Sequence, residues 1–321
     1  MFEPTNISVA MCTCNGERFL AEQLSSLAKQ SYLPAELVVC DDASEDSTCR
    51  ILEVFSNTAQ FPVRLYRNQR RLGIRQNFEQ AIRLCKGSVI ALCDQDDVWL
   101  PEKLARFAQV FANGADWICC DAEVVDATLS PLGYTLWERV GFNRNQRIRA
   151  TDGRLFQVLL KHYVVAGATV AFRAELREQL LPIPTHWLYD AWVVAILAGT
   201  KKLTMIDECL QFYRQHGHNA IGGERRSFLG DVLSARKVSR RDYLELEFAR
   251  WQQLAERLES VNAPEWVMLR LAGKLGHLVR RAEYPGSRLL RSPLVFSEIT
   301  RGGYSRFSRN WGSVALDLFN K

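Results

Sequence analysis

Over its first 120 residues the chain alternates short apolar, β-branched runs with segments of helical period, and that alternation leaves few folds open. Ile7–Thr13 (ISVAMCT) reads as a buried strand, and Glu17–Gln30 as a helix carrying Leu20, Leu24 and Leu27 on one face. A strand at Leu37–Cys40 precedes a helix over Ser44–Phe55, with Asp46 or Ser47 near its N-terminus. Val63–Tyr66 is a third strand, Gln76–Leu84 a helix and Ser88–Cys93 a fourth strand. Pro101 falls where the first turn of a helix reaching Phe111 tolerates it. Such spacing predicts right-handed βαβ units in an α/β fold with a mostly parallel sheet, which binds ligands beyond the carboxyl ends of its strands. Carboxylates stand at those ends: Asp41 and Asp42 after the second strand, and Asp94, Asp96 and Asp97 after the fourth.

Beyond Trp117 the rhythm changes. Short strands are expected at Trp117–Cys120 and Gly167–Phe172, separated by the polar, Arg-rich stretch Trp137–Arg154. Asp190 opens an apolar helical pattern closed by Gly199, and strands follow at Lys202–Ile206 and Leu210–Arg214. After Gly222 the pattern is mainly helical, with Leu244, Phe248, Trp251, Ala255 and Leu258 forming a core-facing stripe. Charge divides along the same line. Of a formal net charge of +5, residues Ile221–Lys321 hold 18 Lys and Arg against 11 Asp and Glu, so the excess lies wholly in the last third. With Trp266, Tyr284, Tyr304, Phe307 and Trp311 interspersed, this region suits contact with anionic lipid headgroups; a solvated helical surface fits the same pattern.

The nine cysteines, odd in number and several within strand-like runs, fit reduced thiols acting as small hydrophobes in a cytosolic protein. Neither Cys12-x-Cys14 nor Cys119-Cys120 has the spacing of a zinc site. Met1–Asn6 lacks the features of a secretory signal, and no apolar run is long enough to span a bilayer. The expected location is cytoplasmic, with peripheral contact at the inner face of the plasma membrane.

Several chemistries are absent from the motifs. Cys14-Asn15-Gly16-Glu17 after the first strand is not a G-x-G-x-x-G turn, Lys86-Gly87-Ser88 is not a P-loop, and no G-x-S-x-G elbow occurs. What remains is the acidic turn Asp94-Gln95-Asp96-Asp97. Three carboxylates within four positions raise one another's pKa unless a positive charge lies between them. A divalent cation with hard oxygen ligands, Mg2+ or Mn2+, resolves that conflict and can bridge the protein to a diphosphate. The same turn, taken alone, also reads as a solvated loop capping the helix at Pro101.

These motifs together resemble family 2 glycosyltransferases of the GT-A fold. The resemblance lies in Ser8–Gly16, Val39–Asp46, Asp94-Gln95-Asp96-Asp97 with Trp99–Leu104, Gly73–Asn77, Tyr189–Trp192 and Tyr213–Asn219, the last three similar to bacterial rhamnosyltransferase-like members. It covers residues 6–223, and implies a GT-A domain over 1–223 followed by a helical, basic extension over 224–321. Carried onto this sequence, it implies that Asp42 hydrogen-bonds the pyrimidine base, with Cys12, Thr13 and Cys14 lining that pocket. Asp94 would face the ribose or the metal, Gln95 the donor, and Asp96 the metal that grips the diphosphate. Arg75 and Asn77 would flank the donor, and Asp190 would be the general base. Asp42 and Asp190 also suit helix caps or turns. His216 and His218 could close over the donor or be simple loop residues. Many family members carry Tyr where Cys14 stands. The processive Q-x-x-R-W motif is incomplete, since Gln211-Phe212-Tyr213-Arg214 is followed by Gln215.

The resemblance thus implies an inverting enzyme that moves a sugar from a nucleotide-sugar donor, such as dTDP-rhamnose, to a saccharide or lipid-linked acceptor in surface-polysaccharide assembly, without a nucleic-acid partner. The acceptor is expected against Trp137–Arg154 and the helical C-terminal third. Rivals are a sugar nucleotidyltransferase and a non-catalytic nucleotide-sugar-binding protein.

Overall fold

Strand β1 (Ile7–Thr13) is buried along its whole length, and the rest of the fold is arranged to cover its two faces. Ile7, Val9 and Met11 join one apolar core and Ala10 and Cys12 join another, so alternate side chains are shared between opposite layers. The computed structural model describes residues 5–217, 239–309 and 311–319. After β1 come α1 (Leu20–Ala28), β2 (Glu36–Asp41), α2 (Thr48–Ser56), β3 (Val63–Arg67), α3 (Ile74–Leu84) and β4 (Val89–Cys93). β1 pairs in parallel with β2 and β4, and β2 with β3, as the strand–helix alternation requires. At the start of α2, Ser47 is the N-cap position without a side-chain cap bond, and Asp46 Oδ1 accepts from the Thr48 amide at 3.0 Å.

The chain continues through β5 (Val98–Trp99), α4 (Lys103–Ala112), β6 (Trp117–Val125), β7 (Pro131–Thr135), α5 (Leu136–Val140), α6 (Arg144–Arg149), α7 (Leu155–Leu159), β8 (Val170–Arg173), α8 (Arg177–Leu180), α9 (Tyr189–Thr200) and β9 (Leu203–Arg214). The sheet runs β3-β2-β1-β4-β8-β6-β9-β5, with β7 beside β6. It is parallel up to β4, and β8 then enters antiparallel between β4 and β6.

Local details differ from the sequence reading. Gly167–Thr169 forms a 3-10 turn before β8. The two strands expected over Lys202–Arg214 are a single strand, because the register against β6 jumps from Cys120↔Ile206 to Asp121↔Cys209 and absorbs the polar Asp207-Glu208 in a bulge. Pro101 lies in the turn before α4, where its carbonyl accepts from the Ser31 amide at 2.8 Å, and α4 is capped across the fold by Gln30 Oε1 on the Leu104 amide.

After residue 238 the chain is helical: α10 (Arg240–Ser260), α11 (Glu265–Ala282), α12 (Arg288–Thr300), α13 (Gly303–Phe307) and α14 (Trp311–Phe319). The expected stripe on α10 buries Leu244, Trp251 and Leu258 and also takes in Leu254, while Phe248 and Ala255 pack at its edge. These residues belong to the same apolar cluster as Trp192 and Ile196 of α9 and Val170 of β8, so α10 and α11 extend the core of the sheet. A Cβ at Gly199 would meet Leu258 Cδ2 at 2.8 Å; the contact between α9 and α10 therefore depends on glycine. The boundary expected at 223/224 falls outside the described residues.

The last helices are held by buried ions. Asp317, fully buried, accepts from Arg240 Nε at 3.0 Å, Arg281 Nε at 2.6 Å and the Tyr304 hydroxyl at 2.6 Å. Glu298 receives both Nε and Nη2 of Arg280 at 2.8 Å and faces His277 Nδ1 at 2.6 Å. Removing one partner of such a set leaves an uncompensated buried charge. Asp317→Ala is expected to cost about 3–5 kcal/mol, read as a lower urea midpoint.

Candidate active site

The ends of β1, β2 and β4 converge on one edge of the sheet, and short polar bonds tie their loops together. Gln95 reads the backbone of Cys14 with both ends of its amide, accepting from the amide N at 2.9 Å and donating to the carbonyl at 3.2 Å. Gly16 donates its N–H to Thr48 Oγ1 at 2.7 Å, and a Cβ there would meet Gln95 Oε1 at 2.4 Å. Thr13 Oγ1 donates to Asp41 at 2.9 Å. Gln95 therefore joins the β1 and β4 loops, a bridging role that the reading as a donor contact did not include.

Asp42 is buried, and its carboxylate organises the segment before α3. It accepts from Leu72 N at 2.7 Å, Gly73 N at 2.8 Å and Asn68 Nδ2 at 3.0 Å. Those bonds use three of the four or so lone-pair positions of a carboxylate. Asn77 is 1% exposed; it donates to the Cys40 carbonyl at 2.7 Å and accepts from Asn68 at 2.9 Å, so it supports Asp42 and the β2 end. Arg75 Nη1 donates to the Ile183 carbonyl at 2.5 Å. The loop held by Asp42 carries Arg71 close enough to Cys14 to act on its thiol; burial nevertheless raises that thiol above its ordinary value. Arg71 was not singled out in the sequence, because an exposed loop arginine has no periodicity to mark it.

The acidic turn divides into three functions. Asp97 is buried and does not cap α4. Its carboxylate accepts from Gln211 Nε2 at 2.8 Å and from the Arg214 amide at 3.1 Å, fixing the turn to β9. Asp96 is partly exposed, with Oδ2 2.8 Å from His216 Nε2. Asp94 receives the Tyr189 hydroxyl at 3.1 Å on Oδ1, and Tyr189 stacks on Phe78 with ring centroids 3.8 Å apart. Burial, reinforced by the charges of Asp96 and Asp190, pushes Asp94 up to about 7. Burial likewise raises Asp97, with Asp96 and Asp94 adding to it.

Two buried cations keep this cluster in place. Lys103 donates to the Ala168 carbonyl at 2.8 Å and to Gln211 Oε1, lies 3.8 Å from the Trp99 ring centroid, and is pulled below its ordinary pKa by burial. Arg214 bonds the Asp96 carbonyl and the Ala127 carbonyl at 2.8 Å, pairs with Glu22, and lies over Phe19. His216 also stacks on Phe19, with ring centroids 4.6 Å apart. His218 lies outside the described residues.

Asp190 approaches from the N-terminal end of α9. It is buried, accepts from Ala191 N at 2.8 Å and Gly167 N at 3.3 Å, and its pKa is raised by burial. The Gly167 bond ties the start of α9 to the turn before β8, and the carboxylate also lies near enough for its charge to act on Asp94. Gly167 is required at this contact, since a Cβ there would lie 2.5 Å from the Tyr189 hydroxyl and 2.9 Å from Asp190 Cβ. Cys12, Thr13, Cys14, Asp42, Asp94, Gln95, Asp96 and His216 thus line or support one edge of the sheet, with Asp190 brought in from α9.

Among the described residues no three His, Cys, Asp or Glu side chains form a self-sufficient metal cage. The donor set nevertheless fits Mg2+ or Mn2+, which bind through one or two carboxylates when phosphate oxygens and water complete the shell. Asp96 and Asp94 would be those carboxylates, and a cation between them would offset the repulsion that Asp96 and Asp190 exert on Asp94.

A family model described as glycosyl transferase family 2 matches residues 8–180. An uncharacterized glycosyltransferase of Nostoc sp., alr2836, is 25% identical over 228 residues, covering 66% of this chain and 66% of its own; the chain thus spans just under two thirds of that relative. The Escherichia coli UDP-Glc:alpha-D-GlcNAc-diphosphoundecaprenol beta-1,3-glucosyltransferase WfgD is 30% identical over 122 residues, covering 37% of this chain and 47% of its own. Among solved structures, S. aureus TarS 1-349 in complex with UDP-GlcNAc superposes with a TM-score of 0.58 at 17% identity, covering 97% of this chain and 90% of that one. The mannosyltransferase PcManGT from Pyrobaculum calidifontis, in complex with GDP-Man and Mn2+, gives a TM-score of 0.54 at 17% identity, covering 98% and 84%. These superpositions agree with the GT-A fold.

Lys103 is buried and donates to the Ala168 carbonyl and to Gln211 Oε1. Lys103→Met leaves both acceptors without that donor and is expected to cost about 1–3 kcal/mol in urea unfolding at neutral pH.

Proposed function

The chain belongs to glycosyl transferase family 2, and we propose that it transfers a sugar from a nucleoside-diphosphate donor to a hydroxyl of a saccharide or lipid-linked acceptor in surface-polysaccharide assembly. The observation that carries this reading is the approach of Asp190, from α9, to the Asp94–Asp96 turn at the strand ends. A base on one side of a pocket and a diphosphate-gripping edge on the other is the arrangement that inversion needs.

In this mechanism the Asp42-ordered loop and the Cys12–Cys14 backbone receive the nucleoside, and Arg75 supports the same region from its bond to Ile183. Asp96 and Asp94 would hold Mg2+ or Mn2+, which would supply charge neutralisation for the diphosphate. Asp190 takes the proton of the acceptor hydroxyl while that oxygen bonds the anomeric carbon and the bond to the diphosphate breaks. Tyr189, braced on Phe78, keeps Asp94 oriented, and His216 does the same for Asp96. The motifs favour a dTDP-deoxysugar such as rhamnose as donor. The acceptor in the name of WfgD, alpha-D-GlcNAc-diphosphoundecaprenol, supports a lipid-linked saccharide, and with it work at the cytoplasmic face of the membrane. A groove lined by Tyr134, Trp137, Glu138, Phe142, Arg144 and Arg147 supports acceptor contact within Trp137–Arg154.

A panel of nucleotide sugars, scored for thermal stabilisation and for Mg2+- or Mn2+-dependent donor hydrolysis, tests the class directly. Asp190→Asn is expected to keep donor binding and to lose at least about a hundredfold in transfer; normal turnover by this variant would remove Asp190 from the mechanism. Asp96→Asn should instead weaken the metal-dependent part of donor binding by about tenfold or more, measured by titration with and without Mn2+.

A further inference from the structure

The helix α12 is arranged with its apolar side outward. Its inner face carries Arg291, Val295 and Glu298, all buried, whereas its outer face carries Leu289, Leu290, Leu294 and Phe296, exposed by 87%, 66%, 44% and 67%. At 100° per residue, Leu289, Pro293 and Phe296 share one stripe, with Leu290 and Leu294 at its flank. Ordinary surface helices have the opposite arrangement. The inversion is possible because the interior of this part of the protein is ionic: Glu298 meets Arg280 and His277, and Asp317 meets Arg240 and Arg281.

The same burial of acids sets the surface charge. Between residues 284 and 319 the acidic side chains are Glu298 and Asp317, 2% and 0% exposed, while Arg288, Arg301, Arg306 and Arg309 are exposed. Arg288 Nη2 donates to the Phe319 carbonyl at 2.9 Å, bringing the end of α14 to the start of α12; Phe319 and Trp311 of α14 are also exposed. The surface of this region is thus apolar and cationic, with no exposed acid among its described residues.

We propose that the outer face of α12 docks on an anionic lipid bilayer, lying in the interface with its leucines and Phe296 among the acyl chains and the arginines among the headgroups. The helix has 13 residues, about 20 Å, which suits lying along a bilayer; no helix among the described residues is long and apolar enough to cross one. Charge selects lipid over a second copy of this chain. A symmetric self-contact would set arginines against arginines, whereas an anionic surface attracts them. The inference rests on the proposed lipid-linked acceptor only for its purpose: docking would hold the active site near a substrate anchored in the same membrane.

The test is co-sedimentation of the full chain with vesicles of phosphatidylcholine alone and of phosphatidylcholine with phosphatidylglycerol. Binding to the anionic vesicles is expected, weakened by salt, with little binding to the neutral ones. Leu289→Glu/Phe296→Glu, a double change at exposed positions, should reduce that binding by at least about tenfold while circular dichroism and the donor-induced thermal shift stay unchanged. Arg301→Glu/Arg306→Glu should reduce it as well. Failure of the wild-type chain to bind anionic vesicles, or equal binding by the Leu289/Phe296 variant, overturns the proposal. So does a wild-type dimer in sedimentation velocity that this variant converts to monomer without any vesicle binding. None of these readouts depends on sugar transfer, so the docking proposal and the proposed activity fail separately.

Discussion

Carboxylate repulsion is the constraint on which the site depends. Asp94, Asp96 and Asp97 occupy one turn, Asp190 is brought to the same place by α9, and burial there makes each negative charge costly. The fold answers with two buried cations and one strand. Lys103 is placed by α4 and Arg214 by the end of β9, and Gln211 and the Arg214 amide clasp Asp97 between them. Asp94 and Asp96, the other two carboxylates of the turn, meet Tyr189 and His216 at the same edge, and two neighbouring carboxylates there suit a divalent cation.

Rigidity around that edge comes from sharing, with most supporting residues serving two loops at once. Gln95 binds the Cys14 backbone from the β4 loop, Asp42 holds the segment entering α3 from the β2 end, and Tyr189 of α9 reaches Asp94. Two glycines allow this closeness. Gly16 leaves room for Gln95, and Gly167 leaves room for Tyr189 and Asp190. The helical region beyond residue 238 reaches the same neighbourhood through the core, because α10 packs on α9 and α9 carries Asp190.

The C-terminal helices use the opposite economy of polarity. In the sheet, apolar side chains lie inside and charges gather at the strand ends. In α10 to α14, Asp317, Arg281, Arg240, Glu298 and His277 occupy the interior of the polar cluster, and leucines lie on the surface of α12. Between residues 284 and 319 both acids, at 298 and 317, lie inside, while the arginines at 288, 301, 306 and 309 are exposed, so the surface there is more basic than its composition.

The sequence by itself determined the elements of the first half and the edge on which chemistry gathers. Ile7–Thr13 needed no tertiary knowledge to be read as a buried strand, because an unbroken apolar run between turn residues has few other homes. The positions of Asp42 and of Asp94–Asp97 followed from where strands end. Tertiary structure alone decided what each carboxylate does. Sequence spacing made Asp97 look like a helix cap, yet its partners are 114 and 117 residues away on β9, and no local pattern records them. Asn77 and Gln95 looked like ligand contacts, but their amides are engaged with Cys40, Asn68 and Cys14 across strand ends that only the assembled sheet brings together. Periodicity reports which face of an element is buried; it does not report the partner, and at this site the partner sets the role.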